Sequence, residues 1–291
     1  MNAINALVTR AFDLLLAPLE WVGMEFALLV VSGVFGVLAL WVFKYISWQK
    51  GIKATKDRIK GHLIEIRIYQ DNLGVVSKAI GKVLARNVQY MLLNFGPFIP
   101  MAVPFTLVVA QLVVRYGFDP VPVRPELVAS QSAEPGRPPV IAGEGTTLRI
   151  AGDAASIGSL ELVLPEGLVA RSPLARIPAQ GCAVQEITAT SPGVYDILLR
   201  TSAGESTKRF VAGQEARTRT MQPERVTGLS MLLWPAEDSL AGTGLTEVKF
   251  VYPESQLGWL PGSGPMGVIL VFLGASMLFG FIAMKPLGVQ I

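Results

Sequence analysis

Hydrophobic and polar positions in this chain are patterned on two scales. On the longer scale, three stretches carry no charge: Phe26 to Phe43, Asn87 to Val114 and Ser255 to Met284, of 18, 28 and 30 residues. A helix rises about 1.5 Å per residue and needs about 20 residues to cross roughly 30 Å of hydrocarbon. The runs therefore predict transmembrane helices over 24–44, 91–115 and 264–284.

On the shorter scale, the spacing changes from segment to segment. In residues 1–22, Ile4, Val8, Phe12, Leu15 and Leu19 recur at helical spacing, with Asn5, Arg10, Asp13 and Glu20 elsewhere on the wheel. That predicts an amphipathic helix lying in the membrane interface, with Trp21 at headgroup depth and Pro18 bending the chain into the first span. Between the first two spans, Ile52, Ile59, Leu63 and Ile66 form one stripe; after Asp71-Asn72-Leu73-Gly74 the stripe resumes with Val76, Ile80, Val83 and Leu84. Two such helices predict an antiparallel hairpin over 47–88. From 140 to 254 the period shortens to two. Strands are expected at Thr146–Ile150, Ser159–Leu164, Ala183–Thr190, Val194–Arg200 and Thr207–Ala212, separated by Gly/Pro turns, and 214–254 adds either two more, including Glu247–Tyr252, or a return arm packed on the first. Strands at that spacing suggest a small β-sandwich. Residues 119–139, rich in Pro, Ala, Glu and Ser, read as a linker.

Charge gives this pattern a direction. Lys44 to Arg86 holds ten basic residues against three acids, whereas the first 25 residues hold one basic residue and three acids. The positive-inside rule then makes the hairpin cytoplasmic, the N-terminus and the 140–254 region external, and the C-terminus internal, in agreement with Lys285. The expected fold class is thus an α+β membrane protein with three transmembrane helices, N-out and C-in, a cytoplasmic helical hairpin, and an external β-sandwich between spans two and three. The basic loop suits anionic lipid headgroups, and equally ribosomal RNA or acidic proteins, or it acts as a topology signal alone. No DNA partner is expected.

Candidate chemistry is sparse. One cysteine, Cys182, and one histidine, His62, allow neither an intrachain disulfide nor a His/Cys metal cluster, so no metal, cofactor or enzymatic activity is expected. His62 reads as a solvated helix residue and Cys182 as a small buried or half-buried side chain in a strand-rich domain. Met1 to Glu25 does not have the basic n-region and uninterrupted apolar core of a cleavable signal peptide. The second span does carry polar groups. Asn87, Gln89 and Asn94 lead into it, Gln111 lies within it, and Pro97, Pro100 and Pro104 should bend or locally unwind it. Freed carbonyls at membrane depth need neighbouring helices or a wet cavity.

The order of these parts resembles the YidC/Oxa-type membrane insertase superfamily, in particular its short three-span archaeal YidC-like branch and the related endoplasmic-reticulum membrane complex subunit. Tyr45-Ile46-Ser47-Trp48-Gln49-Lys50, running into Lys53-Ala54-Thr55-Lys56, is similar to the family's exit from the first core span into its coiled-coil arm. Tyr90-Met91-Leu92-Leu93-Asn94-Phe95-Gly96-Pro97-Phe98-Ile99-Pro100 looks like its proline-broken entry into the second. Leu257-Gly258-Trp259-Leu260 and Lys285-Pro286-Leu287-Gly288-Val289 flank the last span in the manner of the archaeal branch. The likeness covers about 140 residues, the membrane part. Two features depart from it: Val37 to Phe43 lacks the arginine that many members carry in a lipid-facing groove, and the 119–254 segment replaces a short loop.

The resemblance implies a membrane protein insertase or insertase-related chaperone in a bacterial or archaeal cytoplasmic membrane. Its clients would be nascent or newly made membrane proteins, with the ribosome as a further partner. Asn87, Gln89, Asn94, Gln111 and Lys44 are the candidates for a polar, cytoplasm-open groove; Lys50, Lys53, Lys56, Arg58 and Lys60 would meet the client or ribosome. An external partner would bind the β domain. The alternative is a membrane scaffold that anchors an external sandwich for a protein or envelope partner and inserts nothing.

Overall fold

The computed structural model describes residues 2–124 and 145–289. It is a mixed α+β chain with three helical stretches, Met24–Ile46, Leu73–Tyr116 and Gly264–Leu287, long and apolar enough to cross a membrane. The chain divides into two compact units, Met1–Ala27 with Leu107–Leu270, and Leu28–Thr106 with Val271–Ile291.

Helix α1 spans Asn2–Glu20 and α2 spans Met24–Ile46. The hairpin helices are α3, Gln49–Ile68, and α4, Leu73–Phe95, and α5 runs Phe98–Tyr116. Asn72 starts α4 as an N-cap, its Oδ1 accepting from the amides of Gly74 and Val75 at 3.2 and 3.3 Å. Most of the main-chain donors orphaned at a helix start need such an acceptor.

The hairpin forms where its periodicity predicts, yet its inner face is rotated from the expected stripe. Ile52 and Thr55 are buried on α3 and Ala79 on α4, while Leu63, Ile80 and Leu84 are exposed. Small Ala79 lets the helices approach, so the outward leucines are left for another environment. Across this hairpin Glu65 meets His62 at 3.0 Å and Lys82 at 3.6 Å. The His62 hydrogen bond, with help from Lys82, holds the Glu65 carboxyl below its ordinary range.

In the same unit α2 packs against the last helix through glycine. A Cβ on Gly36 would lie 2.1 Å from the Ser276 carbonyl oxygen, so only glycine permits this backbone approach. Phe35, Phe105 and Phe272 interlock above it, with ring centroids 5.2–6.1 Å apart.

The β region belongs to the other unit. Strand β1 is Thr146–Gly152, followed by the short helix α6, Ala154–Gly158, which Asp153 caps. Then come β2 (Glu161–Val163), β3 (Leu168–Ala170), β4 (Ala175–Ile177), β5 (Cys182–Ala189), β6 (Gly193–Arg200), β7 (Glu205–Ala212), β8 (Glu224–Val226) and β9 (Leu245–Lys249). The closing helix α7 is Gly264–Leu287. One sheet has the order β3-β5-β1-β9-β8 with β4 also on β5; the other is β2-β6-β7. Alternate residues Leu148 and Ile150, Ile197 and Leu199, and Phe210 are fully buried with Val248 and Ile187, which makes the pair of sheets sandwich-like. Phe210 and Phe250 meet at 5.0 Å between centroids. Cys182 is half-buried at the start of β5.

Six strands lie where alternation predicts them, with ends shifted by a few residues. A second short strand in 214–254 is present as β8, whereas the three-residue strands β3 and β4 were not expected. The expected linker over 119–139 begins with anchored chain: the Val121 amide donates to the Val211 carbonyl, and the Gly213 amide donates back to Val121, at 3.1 and 2.8 Å. Val121 thereby lies against the open side of β7. Residues 125–139 of that linker, and the first five of the expected 140–254 domain, lie outside the described residues.

Candidate functional site

The expected groove residues fall into different surroundings. Asn87 is exposed on α4, and Gln89 accepts from Arg86 at 2.6 Å. At about 100° of turn per residue, Asn87 and Asn94 share a face of α4 and Gln89 lies on the opposite one. Lys44, exposed at the end of α2, donates to the carbonyl of Leu287 at 2.7 Å. A cation at the carboxyl end of a helix offsets its negative dipole end. Asn87, Gln89 and Asn94 therefore do not share one face of α4.

Asn94 stands apart. It precedes the break at Gly96-Pro97, the two residues that separate the end of α4 from the start of α5. The proline has no amide to donate and its ring obstructs continuation of the helix, which accounts for the interruption inside the expected second span. Asn94 Nδ2 donates back to the Tyr90 carbonyl at 2.8 Å, while its buried Oδ1 has no partner. A buried acceptor without a donor costs about 1–3 kcal/mol, so the site favours any group that brings an N–H or O–H. Around the break Met91, Leu92, Phe95, Phe98 and Ile99 are exposed. On α3, Lys50, Lys53, Lys56, Arg58 and Lys60 are all exposed.

Gln111 belongs to the other unit and is 0% exposed. Its Nε2 donates to Thr9 Oγ1 at 2.9 Å and its Oε1 accepts from the Arg115 guanidinium. Arg115, also buried, reaches Asp13 at 2.5 Å and the Thr9 carbonyl at 3.1 Å. Tyr116 donates to Glu20 at 3.0 Å, and Asn5 Nδ2 donates to the Met231 carbonyl at 3.0 Å. The polar face of α1 is thus turned onto protein, and Leu7, Leu14 and Leu15 are exposed on its other side. The amphipathic pattern gave the helix; it did not show that Asn5, Thr9, Asp13 and Glu20 would be its packed face.

Beside the N-terminal half of α1 is a cleft of about 510 Å³, lined by Asn5, Thr9 and Arg10 and, from the β region, by Asp196, Arg209, Arg225, Glu237 and Asp238 among others. Its lining residue Glu237 is held by Lys208, which is fully buried and donates to Glu237 at 2.5 Å and to the Gln222 carbonyl at 2.7 Å. Burial lowers the Lys208 pKa, and the Glu237 carboxylate partly offsets that shift. Burial lowers that of Arg225 in the same way. The sequence held the clue to this pair: a period of two in β7 puts Lys208 on the same face as Phe210. Among the described residues no group of His, Cys, Asp or Glu is placed to hold a metal ion. No family model and no curated protein matches this chain.

Proposed function

We propose that this chain is a membrane protein insertase or insertase-related chaperone of the YidC/Oxa type, working from a cytoplasmic membrane with the hairpin inside and the β region outside. The observation that carries this reading is the break at Gly96-Pro97: a span interrupted beside a buried, donor-seeking Asn94 Oδ1 and flanked by exposed apolar side chains. Carrying a polar client flank across hydrocarbon costs several kcal/mol per unpaired group. An acceptor at an interrupted helix offers such a flank a partner on the way, and Met91 and Phe95 offer its apolar part a surface. The exposed lysines of α3, followed directly by α4, supply the capture arm. No bond is made or broken, so no catalytic residue is required.

Asn94 takes the whole groove role in this proposal, because Gln111 is already engaged by Arg115 and Thr9. The test is photocrosslinking from position 94 in native membranes during translation, with the exposed position 194 as comparison. Crosslinks from 94 to newly made membrane proteins are expected, together with their loss when Lys50, Lys53, Lys56, Arg58 and Lys60 are changed to Glu. Capture of lipid alone at 94, with a fixed ligand at 194, would instead establish the scaffold. The long-range ties that bind α1 to the β region favour that second reading to the extent that they anchor a binding module.

A further inference from the structure

We propose that the cleft beside α1 binds the phosphoethanolamine headgroup of a phospholipid. This rests on the reading of the chain as a membrane protein with α1 in the headgroup layer, and goes beyond it by naming a lipid site that insertion does not require.

Size, charge and an unpartnered group point the same way. A volume of about 510 Å³ falls within the range of roughly 300–1,000 Å³ usual for small-molecule sites. Arg10 is exposed at its edge and has no ion-pair partner among the described residues. Arg209 faces Asp196 at 4.0 Å, too long for a hydrogen bond, so both remain available. Asp238 is exposed, and its carbonyl is held by Arg225 at 2.7 Å. Guanidiniums are suited to bidentate contact with a phosphate, and carboxylates to an ammonium. Their interleaving selects a zwitterion over a simple anion.

Asn5 sharpens the choice. It lines the cleft, is 3% exposed, and keeps a buried Oδ1 with no partner although its Nδ2 is engaged. A primary ammonium brings the donor that this oxygen needs. A choline group brings none and is recognised by aromatic cages, and among the described residues no aromatic side chain lines the cleft. Leu7, Leu14 and Leu15, exposed on the other side of the same helix, give the acyl chains an apolar flank. The lipid, and not a soluble phosphoester, is therefore the source of the headgroup.

Native mass spectrometry of the purified full-length protein with equimolar phosphatidylethanolamine, phosphatidylglycerol and phosphatidylcholine of identical chains tests this. Retention of phosphatidylethanolamine about tenfold above the other two is expected, the ratio that one added charge-assisted hydrogen bond provides. Arg10→Ala with Arg209→Ala should remove that retention. Asp196→Asn with Asp238→Asn should keep lipid bound and abolish the preference over phosphatidylglycerol. All four side chains are exposed, so an unchanged melting temperature verifies that the variants fold. Equal retention of the three lipids, or full retention by the arginine variant, overturns the proposal. So does soluble glycerophosphoethanolamine that competes at the same concentration as the lipid. The outcome is independent of client crosslinking at position 94, so the two readings fail separately.

Discussion

The two units handle buried polarity in opposite ways. In the unit of Leu28–Thr106 and Val271–Ile291, the buried polar residues among those described are Ser32, Ser47 and Thr55, beside the enclosed Oδ1 of half-buried Asn94. Ser32 returns its hydrogen to Leu28, one turn back on its own helix. In the other unit, Lys208, Arg115, Gln111, Arg225 and Asn5 are buried and reach partners as far as 226 residues away, although Asn5 Oδ1 and Arg115 Nε stay open. Local satisfaction leaves helices free to pack by shape alone; distant satisfaction ties remote parts of the chain together and makes each partner indispensable. A helix can complete its main-chain hydrogen bonds by itself, whereas a buried charge such as Lys208 or Arg115 needs a matching partner brought by the fold.

The contrast breaks most visibly at Lys208. Glu237→Ala strands a buried ammonium and should destabilise the protein by about 3–5 kcal/mol, read from thermal or denaturant unfolding of the full chain in detergent. Pairing it with Lys208→Met should recover most of that loss. A single variant no worse than a surface change would remove the distinction between the units.

Next comes packing by shape. Gly36→Ala puts a methyl group 2.1 Å from the Ser276 carbonyl oxygen, which the backbones must separate to admit. The expected loss is about 1–3 kcal/mol, seen as a lower melting temperature, with the β region's unfolding unaltered. Asp13→Ala is of similar or smaller size. It leaves Arg115 with Gln111 and Thr9 only, and because Asp13 is partly exposed about 1–2 kcal/mol is expected. Limited trypsinolysis at Arg10 should become faster as α1 loosens.

The smallest effects are those of pH, and they separate the units by sign. Glu65 has a lowered pKa, so its contribution to the hairpin is present above its ordinary value of 4.5 and is lost as pH falls through the lower folded value. Glu65→Gln should flatten that acid limb in hydrogen exchange of α3 and α4. Tyr252, in the β region, has a pKa raised chiefly by burial. Its contribution is therefore present below 10.0 and fades as pH rises beyond it. Absorbance titration should show this phenol ionising only after exposed tyrosines have done so.

How much of this was legible in the sequence follows the same division. Charge-free length and helical stripes carry the information for α2, α3, α4, α5 and α7, because each of those elements is determined by its own residues. Six of the strands were legible by period two for the same reason. The rotation of the hairpin toward Thr55 and Ala79 was not, since small and hydroxylated residues score poorly as core positions although they allow closer helix approach. Nor was the fate of Gln111, whose amide looked like a groove group until Arg115 and Thr9 were placed beside it. Asn94 kept its open acceptor because its Nδ2 turned back on its own helix. The cleft was beyond reach of the sequence, as Asn5 and Glu237 are brought together only by the whole fold.

The anchoring of Val121 bears on how the β region could meet another polypeptide. At eight residues, β7 is the longest strand at the edge of either sheet, since the other edge strands β2, β3, β4 and β8 have three each. Edge length governs templating: a three-residue edge offers an incoming chain too few rungs to hold it in register. Val121 pairs with the carboxyl-terminal end of β7, and the Tyr252 hydroxyl takes the Val211 amide at 3.0 Å. An extended peptide cannot zip along that end as an added strand. Recognition there has to proceed through side chains.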